Sequence, residues 1–408
     1  MDFITENEYD LFVRPDTCNP RARFWFHFSV ENVQNEQRVI FNVVNLSRTR
    51  CLFQKGMTPV VKSTSRPKWQ RMPSNYCYFY RSPEHSENVV LSFTFAFDVE
   101  ERERYTFALN YPYSFTRAKA FENRLQERKP EFVKVENFAQ SAVSQRSIFR
   151  FFFQNFFEVF FFNFLIYNFQ QKRDISMVTI ADDLEADVSK PNMKIVVVLA
   201  RIHPCDSASS YVIQGMMEFL SSDHGIAKDL RKHVIFKLFP VMCPDGVYLG
   251  NSRCTLLGAD LNRSWHKANE FHHPILWKVK QYILNLHERH NLDFVIDLHA
   301  SSSLMGIFIQ GNSYDSVYRY ERHIVFPKML AQNCPDFDPK QTYYNADLEK
   351  EGTTRRNLCM EIGEKTNVYS LEVSMFGYEE KSLNIADGIK INAYREEDCK
   401  WIKTYFQK

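Results

Sequence analysis

The sequence predicts an α/β protein, with a mixed, mostly parallel sheet and helices on both of its faces, preceded by an antiparallel β-sandwich. Three observations carry that expectation. From Ser176 onward, continuous apolar runs alternate with stretches that read as helices, the pattern of a sheet covered on both sides. The first 115 residues hold short runs rich in aromatic and β-branched residues, separated by turn residues. The length of 408 residues makes two domains the natural number.

Taken in order, "FWFHFSV" (Phe24–Val30), "RVIFNVVNL" (Arg38–Leu46) and "NVVLSFTFAFDV" (Asn88–Val99) are the predicted sandwich strands, and "YTFALNYPYSFT" closes that region. The N-terminal β domain is accordingly placed at residues 1–117. A linker of residues 118–175 follows, opening with the helical "RAKAFENRLQERK". Its second half, Ile148–Phe169, holds eleven phenylalanines in "IFRFFFQNFFEVFFFNFLIYNF". A membrane span needs about 20 mostly apolar residues with few charges. Arg150, Gln154, Asn155, Glu158 and Asn163 interrupt this one, and its periodicity is neither helix nor strand. The segment reads as a low-complexity insertion outside the fold, with both flanks sensible without it, and an interfacial or partner-binding helix is the alternative.

The third region, residues 176–408, supplies the α/β pattern. "MKIVVVLARI", "HVIFKLFPVM" and "LDFVIDLHA" read as buried strands, and "SSYVIQGMMEFLSS" and "HPILWKVKQYILNLHERH" as helices. Chemistry in such sheets gathers at the carboxyl ends of strands. His203, in "HPCD", and His299, in "DLHA", both fall there.

Bulk properties narrow the function classes. The 51 basic and 49 acidic residues leave a net charge of +2, which argues against a nucleic-acid binder while allowing local positive charge in a cleft. Nine cysteines with no CxxC pair suit free thiols in a reducing compartment. "MDFITENEYDLF" offers neither a basic nor an apolar signal region, so the expected location is the cytosol.

Two histidines, a carboxylate and one open position make a catalytic zinc site. His203, Asp206 and His299 are the candidates, since a spacing of three in a loop lets the first two converge on one ion. The spacing alone leaves open two loop histidines beside an N-capping aspartate. Between the histidines, "CPDGVYLGNSRC" and "GADLNRSW" supply Arg253, Asn262 and Arg263, and arginine suits a bidentate grip on a carboxylate. "YSLEVSMFGY" puts Glu372 in an apolar run, costly unless it faces a site. Asp297 either orients a ligand or caps a strand.

In this order the motifs HPCD, CPDGV, GNSRC, DLNRSW, DLHA and SLEVSMF resemble the zinc metallocarboxypeptidases, most closely the cytosolic carboxypeptidases that trim glutamate from tubulin tails. "FALNYPYS" resembles the end of that subfamily's amino-terminal domain, and "NIADGIKI" points the same way. The resemblance covers nearly the whole chain except the Phe-rich segment. It implies a metallocarboxypeptidase-like fold, one Zn2+ per chain on His203, Asp206 and His299, and Glu372 as general base. It implies Arg253 for the oxyanion, Asn262 and Arg263 for the substrate's terminal carboxylate, and Arg355 for a glutamate side chain. The expected protein is cytoplasmic and a monomer that acts on polyglutamylated tubulin or other acidic tails, with microtubule or cilium association as a further expectation; the balanced charge and the interrupted Phe-rich segment argue against nucleic-acid and membrane partners.

Several positions depart from the family's pattern. HPCD stands where the family has HPGE, so Asp206 reaches roughly 1.3–1.5 Å less far than glutamate. Cys205 replaces a glycine and introduces a second potential ligand. Cys243, Ser301 and Thr354 replace asparagine, histidine and glycine. The departures motivate an alternative expectation, a weakened or inactive relative that binds glutamylated tails without cutting them.

Overall fold

The structure is a computed structural model that describes residues 2–5, 7–98, 103–129, 131–141, 173–184, 193–363, 365–380 and 390–396. The Phe-rich stretch 148–170 lies outside the described residues.

Among the described residues, nine strands build the amino-terminal region: β1 (Asp2–Thr5), β2 (Glu8–Leu11), β3 (His27–Val30), β4 (Arg38–Val43), β5 (Val60–Ser63), β6 (Gln70–Arg71), β7 (Cys77–Ser82), β8 (Asn88–Ala96) and β9 (Tyr105–Ala108). They form two sheets, ordered β1-β2-β4-β8-β7 and β3-β9-β5-β6. Phe28, Phe41, Phe93 and Phe107 interleave between them, with ring centroids 5.3–5.9 Å apart. Aromatic pairs at such spacing add stability beyond area burial. The pairing is antiparallel except for β2 beside β4, which is parallel. A wholly antiparallel sandwich therefore needs that one correction. β2 carries Asp10 and Glu8 facing Asn42 of β4, a polar pair that apolar alternation could not announce.

Ser114 caps α1 (Phe115–Arg128) through a hydrogen bond from Arg117 N. The central sheet has eight strands in the order β10-β11-β13-β12-β14-β17-β15-β16. They are β10 (Val133–Gln140), β11 (Asp174–Ile180), β12 (Lys194–Ala200), β13 (Val234–Phe239), β14 (Leu292–Ser301), β15 (Ile307–Asn312), β16 (Tyr343–Asn345) and β17 (Asn367–Ser374). Four of the seven neighbouring pairs are parallel, including the central run β13-β12-β14-β17. β10, from the stretch 118–175, pairs with β11 and so extends this sheet across the Phe-rich segment.

Burial explains the unbroken apolar strands. In β12, Ile195, Val197 and Leu199 join the core under α5 (Pro274–Arg289), whereas Val198 and Ala200 join the core under α2 (Ser207–Leu220). Each face of a two-sided strand needs its own apolar set, so alternation disappears. A third core joins the two regions. Phe24, Phe26, Leu52 and Phe53 of the amino-terminal region pack with Ala300 of β14 and with Cys205, Met305 and Phe376 from the connections that follow β12, β14 and β17. The amino-terminal region is thus seated on the loops at the carboxyl ends of β12 and β14.

Candidate metal centre

The loop from β12 into α2 carries the first two candidate ligands. Its shape is set by Arg201, whose backbone takes a left-handed φ of 56°. The Arg201 guanidinium is buried and donates to Pro204 O at 2.7 Å, Tyr113 O at 3.1 Å and Ser210 Oγ at 2.9 Å. An arginine that ties its own loop to Tyr113 and to the first turn of α2 holds the strained residue in place. Asp206 occupies the position before α2 yet makes no side-chain cap. Its carboxylate turns to the histidines instead, which removes the reading of a mere N-cap.

His203, Asp206 and His299 are all buried, and one donor atom from each lies within 4.8 Å of the others. Asp206 Oδ2 sits 3.4 Å from His203 Nδ1 and 3.3 Å from His299 Nδ1. Each ring's other nitrogen meets a carboxylate: His203 Nε2 reaches Asp260 Oδ1 at 3.1 Å, and His299 Nε2 reaches Asp297 Oδ2 at 2.7 Å. Both Nδ1 atoms face Asp206 and each Nε2 faces a carboxylate, the disposition of carboxylate–histidine–metal arrangements, in which a bound ion takes the place of the Nδ1 proton. Donors about 2.0–2.2 Å from one tetrahedral ion stand roughly 3.3–3.6 Å from each other. Both separations from Asp206 match, and all three donors lie within 4.8 Å of one another, so the residues fit zinc.

Electrostatics agree with this arrangement. Burial works against the Asp206 carboxylate, but hydrogen bonds from His203 and His299 outweigh it and hold Asp206 well below the usual carboxylate range. Burial likewise opposes charge on His299, yet Asp297 and Asp206 hold its pKa well above the ordinary value. Such a site carries negative charge that suits a divalent cation.

The departures from the family pattern find places here. Cys205 is not among the residues with left-handed backbone, so a side chain at that position costs no strain. Its thiol is outside the ligand group and approaches Asp206 Oδ1 at 3.5 Å, while burial pushes its pKa up to about 12. A thiol kept protonated is a poor ligand. Thr354 Oγ1 and N donate to Asn262 Oδ1 at 3.2 and 3.0 Å, a second anchor that glycine could not supply. Ser301 Oγ accepts from Leu304 N at 3.0 Å and steadies the turn after β14.

The structure brings the remaining candidates to the same cleft, which encloses about 230 Å³ and is lined by Arg253, Asn262, Arg263, Arg355 and Glu372 together with the three ligands. Register does much of this. β14 and β17 are parallel with His299 directly opposite Glu372, so the glutamate stands beside the ligand on the same face. Gln310 Nε2, from β15 on the other side, donates to Glu372 Oε1 at 3.1 Å. Burial, with Asp206 and Asp297 adding to it against the two histidines, raises the Glu372 pKa above its ordinary value. Asp297, on β14, orients His299 and does not cap a strand. Arg355 lines the cleft with its guanidinium tied to Gly311 O, Asn312 Oδ1 and Asn345 Oδ1.

Two functional residues were not among the sequence candidates. Asp260 bridges the site, since its Oδ1 accepts from His203 while its Oδ2 accepts from Arg253 Nε at 2.6 Å. Oδ1 also accepts from Asn262 N at 2.9 Å, starting the turn that presents Asn262 and Arg263. A signal existed, because a histidine ligand needs an orienting acceptor and Asp260 lies inside "GADLNRSW". Asp16 had no such signal. From the amino-terminal region it accepts the backbone N–H groups of Ser252, Arg253 and Cys254 at 2.5, 2.7 and 2.8 Å, fixing the loop that carries Arg253.

Asp260→Asn is expected to weaken zinc binding and kcat/KM about 10- to 100-fold, the usual cost of losing a carboxylate behind a ligating histidine. Metal titration alongside kinetics checks it, and a change confined to KM would contradict the bridging role.

A buried His–Asp–His set at the carboxyl ends of parallel strands, with a glutamate and cationic side chains in one cleft, defines a metallocarboxypeptidase. The zinc carboxypeptidase family matches residues 170–379, and the cytosolic carboxypeptidase N-terminal domain matches residues 2–109. Cytosolic carboxypeptidase 6 of Homo sapiens is 43% identical over 380 residues, covering 93% of this chain and 70% of that protein. Its namesake in Caenorhabditis elegans is 36% identical over 389 residues, covering 93% and 76%. The chain spans 65% of the Mus musculus namesake, just under two thirds of its length. The chain belongs to the zinc carboxypeptidase family and is a zinc-dependent metallocarboxypeptidase hydrolase. Among solved structures, the metallo-carboxypeptidase from Burkholderia cenocepacia superposes with a TM-score of 0.72 at 18% identity, over 97% of this chain and 90% of that one. The metallo-carboxypeptidase from Pseudomonas aeruginosa gives 0.69 at 20% identity, over 100% and 93%. At these identities the likeness concerns the fold. Among the described residues, no helix is long and apolar enough to cross a membrane.

Proposed function

We propose that this protein removes glutamates from the carboxyl ends or branches of polyglutamylated proteins in the cytoplasm, tubulin first among them. One observation carries the reading. In a chain of net charge +2, the cleft beside the ligands gathers Arg253, Arg263, Lys350 and Arg355, and outside the ligand set its lining holds Glu372 as the one carboxylate. Charge gathered in this way draws acidic tails in and discriminates against basic ones.

The residues then divide the work. His203, Asp206 and His299 would hold the zinc ion, which when bound would supply Lewis acidity and lower the pKa of water at the site. Glu372, opposite His299 in the register of β14 and β17, would take a proton from the attacking water and pass it to the leaving amine. Arg253, locked to Asp260, meets the charge that develops on the carbonyl oxygen. Asn262 and Arg263 bind the free terminal carboxylate, and Arg355 counters the acidic side chain.

The test is glutamate release from peptides with polyglutamate ends, measured against the same peptides ending in lysine. Release from the first set alone is expected. Preparations that carry one zinc per chain yet release nothing would overturn the reading in favour of a tail-binding relative without activity.

A further inference from the structure

One cationic side chain on the cleft comes from neither the ligand loops nor the segments around Arg263 and Arg355. Arg48 lies in the loop after β4, in the amino-terminal region, and lines the same cleft. It is half-buried and strongly positioned. Its guanidinium lies over the Phe24 ring, 4.7 Å from the centroid, and its Nη1 donates to Ser302 Oγ. Leu52 N donates to Ser302 O at 2.8 Å, tying the same loop to the turn three residues beyond His299.

Position decides what Arg48 meets. Arg355, suited with Asn262 and Arg263 to a terminal residue, is hydrogen-bonded to Gly311 and Asn312 of β15 and to Asn345 of β16. Arg48 is hydrogen-bonded instead to Ser302, just after β14, and stacks on Phe24, which shares a core with Cys205 and Ala300. In the sheet order β14-β17-β15-β16 the two arginines thus lie on opposite sides of the strand that carries Glu372. A chain whose last residue sits among Arg263 and Arg355 places its scissile carbonyl at the ligands and Arg253. Its preceding residues leave past Arg48 and the rim Ser302–Leu304.

We propose that Arg48 is a specificity-determining residue, contributed by the amino-terminal region, that binds the carboxylate of a residue upstream of the scissile bond. The inference rests on the glutamate-releasing function proposed above and adds to it: the enzyme reads a second acidic residue, beyond the one it removes. The sandwich is then part of the substrate site as well as a support for it.

The experiment uses two peptides with the same terminal glutamate, one preceded by glutamates and the other by alanines. Arg48→Ala is expected to lower kcat/KM about tenfold on the acidic peptide, mainly through KM, and to change it less than about twofold on the neutral one. Arg48→Met, which keeps the apolar stack on Phe24, is expected to give the same ratio, so that a folding defect in the alanine variant does not decide the outcome. Arg48→Glu is expected to shift preference to a peptide with lysine upstream. Equal losses on both peptides, or no loss on either, would overturn the role of Arg48 while leaving glutamate release intact. No glutamate released from either peptide by the unsubstituted, zinc-loaded protein would overturn the functional reading and this inference with it.

Discussion

Glu372→Gln is expected to lower kcat by about 10²–10⁴, the range that a positioned general base contributes, while leaving zinc content unchanged. The geometry makes the substitution clean. Glu372 stands opposite His299 in the β14–β17 register but outside the ligand group, so its carboxylate acts on substrate and water without holding metal. Glutamine fills the same volume and keeps a hydrogen-bonding partner for Gln310. Burial raises the Glu372 pKa, so the fold bears an unfavourable charge there that glutamine removes. The variant is therefore expected to melt at the same temperature or higher. The sign follows from linkage. A carboxyl whose folded pKa is raised favours the folded state only when protonated, and above that pKa its charge costs stability. Calorimetry, metal analysis and a glutamate-release assay on one preparation check all three expectations. Activity above one-tenth of the unsubstituted level, with zinc bound, would move the base elsewhere.

The candidate site was legible where function and strand ends coincide. His203, His299 and Glu372 each belong to an apolar run that ends or carries a polar group it has no other reason to carry. Cost made them visible, since a buried ionisable residue demands an explanation. Asp260 and Asp16 were harder. Asp260 looks like an ordinary turn residue until His203 and Arg253 are seen on its two oxygens. Asp16 works on backbone N–H groups that lie 236 to 238 residues away, and no spacing encodes that. The fold shows the same division. Strands buried on both faces, such as β12 and β14, declare themselves by composition. β10, "VKVENFAQ", alternates its burial only weakly and hides among polar residues. Pairing direction and register, such as β2 beside β4 or His299 beside Glu372, depend on neighbours distant in the chain. The contribution of the amino-terminal region to the cleft is of that kind: Arg48 sits in an unremarkable basic stretch, and only the shared core of Phe24 with Cys205 and Ala300 brings it to the site.

The second large effect concerns the ligand that departs from its family. Asp206→Ala is expected to lower zinc affinity by at least about a hundredfold, since a catalytic site that drops from three protein ligands to two loses both a bond and its anionic ligand. It leaves His203 and His299 facing each other, with ring centroids 5.2 Å apart and no acceptor between their Nδ1 atoms. Asp206→Glu is the more informative change. If the missing methylene weakened the site, glutamate would raise activity. The geometry argues the opposite. Asp206 Oδ2 already stands at the separations from both Nδ1 atoms that ligands of one ion require, and Arg201 holds the loop so that it does so. An added methylene pushes the oxygen into space the histidines occupy, in a loop whose core neighbours are packed. Asp206→Glu is therefore expected to leave kcat/KM unchanged within about threefold or to lower it, with zinc affinity following the same course. A tenfold gain in both would show that the native aspartate falls short, and would favour a tail-binding relative whose metal site has weakened. The loop offers the reason such a gain is not expected: Arg201 clamps the backbone so that the shorter carboxylate already stands at ligand distance from both histidines.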